Sequence, residues 1–469
     1  MAAENFWDNL PSVIIVEILS YFSVNERLKV STICKKWRQN LFHPTLWRKA
    51  TITLDKMETK KSKKLFQMCG RFFRECVIEF NSESLKYISD CAKVLLALSE
   101  NRHMQTLILK PTTIDIFNLE LNQSEYQHSS LGLQEMFDNS IQKILENTSL
   151  MKQFSLGYIE PLVLESPKYL AQLCRPVYSF LEHLNLSTIT HVDDDRLPFH
   201  LPAHYFETFV QLKSLALDYD HVTDELLNVL QYNGRSQLEK LIINVHDDPN
   251  GNFHIIHNNS WRNLRGVIPE LKVTLNMLHR HTSNVQISAV ASNVDNMLRI
   301  LRPAMPLAHL RMLMCEDINP AAIEFIAMHH SSSLESVYIL DFVSPTEQAQ
   351  YDNLNEQDPF VMLAWKCTKL RSLTIIGYEV SCENLIAISR LRGKTLKTLD
   401  VPECCITSWD AEQDLDYRGL TWESVEEIGN NIGMDDWEPL SIRDLPHGTL
   451  ESHRFPIDLD VMKILLQDF

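Results

Sequence analysis

Histidine, aspartate and cysteine are the residues of this chain whose crowding could do chemistry, and a few places bring them close. His246, Asp247, Asp248, His254 and His257 fall within one short stretch, and these are the donor types that take a divalent metal. The same stretch holds Asp248-Pro249-Asn250-Gly251, first of all a turn sequence, and no helical HExxH spacing accompanies it. Cys404 and Cys405 are adjacent, a poor geometry for a disulfide, and structural zinc sites normally separate paired cysteines by about two to four residues. His279-x-His281 and His329-His330 read as solvated surface histidines. With 12 glycines in all, the chain spells out no GxGxxG, GxxxxGK[ST] or GxSxG, so neither a phosphate cradle nor a nucleophile elbow is present. The expectation is no metal, no cofactor and no catalysis by the chain's own side chains. An enzyme carrying a recognition array is the disfavoured alternative.

Composition narrows the class further. At 469 residues the chain exceeds the roughly 250–300 residues of a single core, so several cores or a repeat array are expected. A net charge of −17 speaks against nucleic acid as a partner, since phosphate binding needs a cationic surface. Ten cysteines without framework spacing read as reduced thiols, and the opening MAAENFWDNLP has no secretory pattern. Apolar runs such as Val13–Val16 and Val94–Leu98 are too short to span a bilayer. Together these predict a soluble protein, cytoplasmic or nuclear, with no membrane partner. The charge is uneven: from Arg27 to Arg74 there are 14 Lys and Arg against Asp55 and Glu58, a balance of +12, while Glu403–Phe469 carries a balance of −12. Within the basic stretch, Lys60-Lys61-Ser62-Lys63-Lys64 reads as a solvated helix face rather than an import signal.

The elements that would have to position a binding surface are legible at the start of the chain. Leu10-Pro11 opens a helix in which Ile14, Ile18, Leu19 and Phe22 share one face, widened by Ile15 and Tyr21. Ser23-Val24-Asn25 breaks it. A second helix turns Leu28, Ser31, Cys34 and Trp37 one way and Arg27, Lys35, Lys36 and Arg38 towards water. Leu46-Trp47 then return apolar mass before Ala50–Leu54 alternates like a strand. About 45 residues with this much apolar surface cannot bury it alone, so the module is expected to use a partner.

The run LPSVIIVEILSYFSVNERLKVSTICKKWRQNLFHPTLWRKATI resembles an F-box along its whole length, from the Leu-Pro opening through Ile-Leu-x-Tyr-Phe to the closing Leu-Trp. The resemblance implies docking on the linker protein Skp1, and through it on a cullin–RING ubiquitin ligase core. It assigns that docking to Leu10, Pro11, Ile14, Ile18, Leu19, Tyr21, Phe22, Leu28, Val30, Cys34, Trp37 and Trp47. Leu28, Ser31 and Trp37 equally suit the module's own core, and a helical cap on the following repeats is the plainer alternative.

Beyond a lysine-rich helix expected over Met57–Cys76, the pattern L-x-x-L-x-L recurs with starts at Met104, Met151, Leu181, Leu212, Leu238, Ile268, Leu307, Leu334, Leu370 and Leu396. This is the signature of leucine-rich repeats, each a short parallel strand and a returning helix, which share a core only when stacked. Thr223, Asn319 and Ser381 stand where helix caps are needed. The fold class is therefore α/β: a small all-α F-box over 1–54, a helical linker or N-terminal cap over 55–102, an irregular leucine-rich-repeat solenoid over 103–402, and an acidic cap or tail over 403–469. Its strands would line the concave face, with the helices outside. The stretch HVTDELLNVLQYN…LEKLIINVHDDPNGNFHIIHNNSWRNL further resembles the F-box-only protein 33/39 group. Together the resemblances imply a substrate-recognition adaptor of an SCF-type ligase; the alternative is a scaffold that binds Skp1 without promoting ubiquitination. The protein substrate would meet the residues alternating with the strand leucines: His183, Asn185, Ser214, Ala216, Asp218, Lys240, Ile242, Ser336, Tyr338, Ser372 and Thr374. The long inter-repeat loops compete for that role.

Overall fold

A computed structural model describes residues 10–54, 68–82, 84–112, 124–175, 180–189, 200–232, 237–246, 253–278, 294–315, 319–343, 358–407, 420–446, 449 and 458–468. The chain divides into two compact units, Met1–Leu181 and Glu182–Phe469. Most of the expected lysine-rich helix lies outside the described residues, and its last two positions, Glu75 and Cys76, are in a strand.

In the first unit α1 (Ser12–Ser20) turns Ile15 and Leu19, four residues apart, into the interior. Ser23 ends it and starts α2 (Val24–Val30): its hydroxyl accepts from the Glu26 amide while its own amide donates to the Glu26 carboxylate, a reciprocal cap. After α3 (Lys35–Asn40) and a tight turn over Pro44–Trp47, the chain enters β1 (Lys49–Thr53). Three further strands, β2 (Glu75–Phe80), β3 (Thr106–Pro111) and β4 (Gln153–Ser155), follow in parallel order. The helices α4 (Leu85–Leu98), α5 (Ser124–Asn147), α6 (Glu160–Val163) and α7 (Ser166–Leu173) make the returns.

The repeat array starts earlier than its leucines suggest. Lys49 is in register with Glu75, and Glu75 with Thr106. Trp47, Ala50 and Ile52, then Phe73, Cys76 and Ile78, therefore occupy the positions that Met104, Leu107 and Leu109 hold in the next unit, and all nine are buried. Two repeats lie where a module boundary at 54 and a linker to 102 are expected. The residue before each strand fixes the stacking: the Arg48 carbonyl accepts from the amides of Arg74 and Glu75, and the Arg74 carbonyl from those of Gln105 and Thr106.

The second unit continues the same rule through β5 (His183–Asn185), β6 (Ser214–Asp218), β7 (Lys240–His246), β8 (Lys272–Leu278), β9 (Leu307–Leu313), β10 (Ser336–Leu340), β11 (Ser372–Ile376) and β13 (Thr398–Asp400), paired in parallel in that order. Between them run α8 (Asp224–Tyr232), α9 (Asn258–Val267), α10 (Val294–Ile300), α11 (Pro320–His329), α12 (Pro359–Lys366) and α13 (Cys382–Arg392). The caps act as expected: Thr223 accepts from the Leu226 amide, Asn319 from Ala321 and Ser381 from Asn384. One unit is displaced from its expected frame. Lys240 pairs with Lys272, Leu241 with Val273 and Ile243 with Leu275. The inward strand positions are therefore Val273 and Leu275, two residues beyond a frame begun at Ile268, although Ile268 and Leu271 are buried as well.

Beyond β13 come β14 (Ile406–Thr407), paired with the short β12 (Val380–Ser381), and α14 (Trp422–Ile432), which packs on α13. Trp437 is buried and donates from Nε1 to the Leu399 carbonyl at 2.9 Å, and the Leu440 amide donates to Val401. An aromatic plug thus closes the last strand, as an open repeat end requires. The chain ends with α15 (Asp458–Leu466).

Candidate protein-binding surfaces

The first surface lies on the N-terminal helices. Because α1 buries Ile15 and Leu19, its other side is left to solvent: Val13 is 78% exposed, Ile14 45% and Tyr21 79%. Pro11 is also exposed, and Leu10, Ile18, Phe22, Leu28, Val30 and Cys34 are half-buried at its margins. Ile33, beyond α2, is exposed as well; neither it nor Val13 is among the expected contacts, although the apolar type of both is visible in the sequence. Large apolar side chains exposed on one side of a short helix mark a protein contact rather than a solvated face.

Three expected docking residues are elsewhere. Leu19, Trp37 and Trp47 are at most 3% exposed and serve the chain's own interior. The Trp47 indole donates to the Leu41 carbonyl at 2.6 Å and stacks on Phe73, 6.4 Å between centroids. It is the first residue of the first repeat and joins the helices to the sheet. Arg27, expected to face water, is half-buried instead. Its guanidinium donates to the carbonyls of Leu19, Ser20 and Leu46 and lies 5.9 Å over the Trp47 ring. One fork thereby locks the end of α1 to the turn before β1, its N–H groups spread over three nitrogens where an ammonium would have to donate from one.

The second surface is the face of the sheet turned away from the helices in the second unit. Strand alternation places all the expected substrate-facing residues on it, yet that face is largely closed. Asn185, Ser214, Ala216, Asp218, Ile242 and Thr374 are buried; His183, Ser336, Tyr338 and Ser372 are half-buried, and Lys240 alone of the set is exposed. Burial leaves polar groups needing partners, and a ladder of side chains supplies them. Thr188 donates from its amide and its hydroxyl to the two Asp218 oxygens at 2.8 Å each, with His246 Nε2 at 3.1 Å from the same hydroxyl. Asn244 donates to the Thr188 carbonyl, and Asn276 to Asn244. At the end of this ladder Arg311 on β9 forms a two-pronged pair with the Asp468 carboxylate. Asn185 Nδ2 and Ser214 Oγ are buried without a partner among the described residues.

The histidines of the candidate metal stretch go separate ways. His246 joins Asp218, His257 Nδ1 meets Asp224 at 2.6 Å, and His254 contacts the Val222 carbonyl at 2.8 Å. Asp247 and Asp248 lie outside the described residues. Among the described residues no three His, Cys, Asp or Glu side chains could hold a metal ion. All ten cysteines are free thiols; Cys405 is buried, its thiol pushed up to about 12 by desolvation, while Cys404 is exposed.

Comparison with known proteins agrees with this architecture. The F-box-like family matches residues 7–53, which includes the helices carrying the exposed patch. F-box only protein 33 of Homo sapiens is 30% identical, over 90% of this chain and 80% of that protein. Its Mus musculus counterpart is 28% identical over the same shares. F-box/LRR-repeat protein 21 of Mus musculus is 24% identical across 85% of this chain and 83% of that one. The likeness runs through both the helical module and the repeats, and the chain belongs to the family of F-box only protein 33.

Proposed function

We propose that this chain is the substrate-recognition subunit of an SCF-type ubiquitin ligase, holding Skp1 with its N-terminal helices and a protein substrate with its repeats. The observation that carries the reading is the exposed apolar patch of Ile14, Tyr21 and their neighbours within an F-box-like module. Leu10, Pro11, Ile14, Ile18, Tyr21, Phe22, Leu28, Val30 and Cys34 make the Skp1 contact; Leu19, Trp37 and Trp47 support it from inside. No bond is made by the chain's own side chains. Its contribution is to raise the effective concentration of substrate lysines at the charged ubiquitin carrier recruited by the cullin–RING core. Ten reduced thiols suit the cytoplasm or nucleus, where such a ligase works.

The test is made in cells that express either the wild-type chain or one carrying Ile14→Asp with Tyr21→Asp. Proteins captured by both should bear ubiquitin and turn over faster only with the wild type. Equal ubiquitination and equal lifetime with the two chains would make the protein a binding scaffold rather than a ligase subunit.

A further inference from the structure

On the sheet face opposite the helices, Leu278, Leu313, Leu340 and Ile376 stand at the ends of neighbouring strands, each at most 6% exposed. Strand alternation puts their side chains on this outer face, since Met277, Met312, Ile339 and Ile375 fill the interior. Such a row would be wet in a bare repeat sheet. The chain's own C-terminal segment meets this part of the sheet at two described points, one past a strand end and one on the outer face. The Val343 amide, just past β10, donates to the Thr449 carbonyl at 2.9 Å. Asp468, just past α15, takes both prongs of the Arg311 guanidinium, and Arg311 is itself an outer-face residue in register with Asn276 and Tyr338. Val461, Met462 and Leu465, on one side of α15, are buried, Leu465 completely. Arg311 and Asp468 are each less than one fifth exposed, so this is a desolvated, two-pronged contact and not a passing surface pair.

We propose that the outer face around β8–β11 is a docking site for an amphipathic helix followed by a carboxylate, and that residues 458–468 occupy it in cis as an internal competitor. The partner has the chemistry of the segment already there: aliphatic residues spaced i, i+1, i+4, then an acidic side chain placed on Arg311. Charge favours such a partner, because Arg311 is the cation that ends the polar ladder through Asn244 and Asn276. The proposal rests on the repeats being the substrate-binding part, and it adds that binding first displaces the tail. A tethered segment acts at high effective concentration, so the intact chain should hold an outside ligand weakly.

The experiment uses the full chain purified with Skp1 and a fluorescent peptide of residues 457–469 as probe. Asp468→Asn with Leu465→Asp releases the tail without shortening the chain and leaves no cation in cis to pair with Arg311→Glu. The probe should bind the released chain at least about tenfold more tightly than the wild type. Arg311→Glu added to the released chain should abolish binding, and a probe carrying Asp468→Arg should recover it. Equal binding to the wild-type and released chains, or binding unaffected by Arg311→Glu, overturns the proposal. If the released chain melts lower than the wild type, Asp468→Asn alone is used, with the same comparison. Skp1 retained in these samples separates the outcomes: a silent probe on a chain still holding Skp1 rejects the docked tail and leaves the ligase reading intact.

Discussion

Trp47 carries two duties on one indole: it anchors the turn after α3 through Leu41 and supplies the first buried position of the repeat array beside Phe73. Trp47→Ala should lower stability by about 3–5 kcal/mol, measured by urea denaturation, because a large ring leaves a cavity at a junction with little room to collapse. His330 gives a residue-scale test of pH. The ring is buried, with Nδ1 3.2 Å from the Met305 carbonyl, and desolvation pushes it down to about 4. The unfolded chain takes up that proton near pH 6.5 while the folded chain refuses it until about pH 4. Stability from this group is therefore full at neutral pH and lost as pH falls through that window. It should cost about 2 kcal/mol between pH 7 and pH 5. His330→Leu should flatten the pH slope of the urea midpoint, and an unchanged slope would assign the dependence to other groups.

The elements show which features local pattern reveals and which it hides. Strands announced by leucine triplets sit where the spacing puts them, because a strand has one buried face and the leucines mark it. The strand expected at Ala50–Leu54 is present as β1, but nothing local marks it as a repeat, because Trp47, Ala50 and Ile52 fill the leucine positions with other apolar types. Strand β2 is hidden altogether, because Phe73, Cys76 and Ile78 do the same. The unit at Ile268 reads two residues out of frame in the sequence, because Leu271 and Val273 are both apolar and only pairing with Leu241 decides between them. The exposed apolar face of α1 was legible, since Ile14 and Tyr21 exceed what one small core can cover. Closure of the outer sheet face was not, since the Arg311–Asp468 pair joins positions 157 residues apart. Backbone demands at repeat edges are equally silent until the fold is seen. Gly377, at φ +95° just after β11, would bring a Cβ within 2.7 Å of the Asp341 backbone on the neighbouring repeat. Gly377→Ala should therefore cost at least about 1–3 kcal/mol. Gly132→Ala, in α5 with open space around it, should instead add about 0.5–1 kcal/mol. Thermal melting of both variants checks the contrast.

For the whole molecule, the central claim is that the chain works by holding others, with a separate surface for each. The helical patch is in the first unit and the tail-covered sheet face in the second, so each can be removed without touching the other's residues. Titrating Skp1 into the full chain tests the first surface most directly. Ile14→Asp with Tyr21→Asp removes two exposed contacts worth about 1.5–3 kcal/mol each. The account predicts that Skp1 affinity falls at least about a hundredfold while circular dichroism and the melting temperature stay at wild-type values. Skp1 bound with unchanged affinity by that doubly substituted, fully folded chain would contradict it.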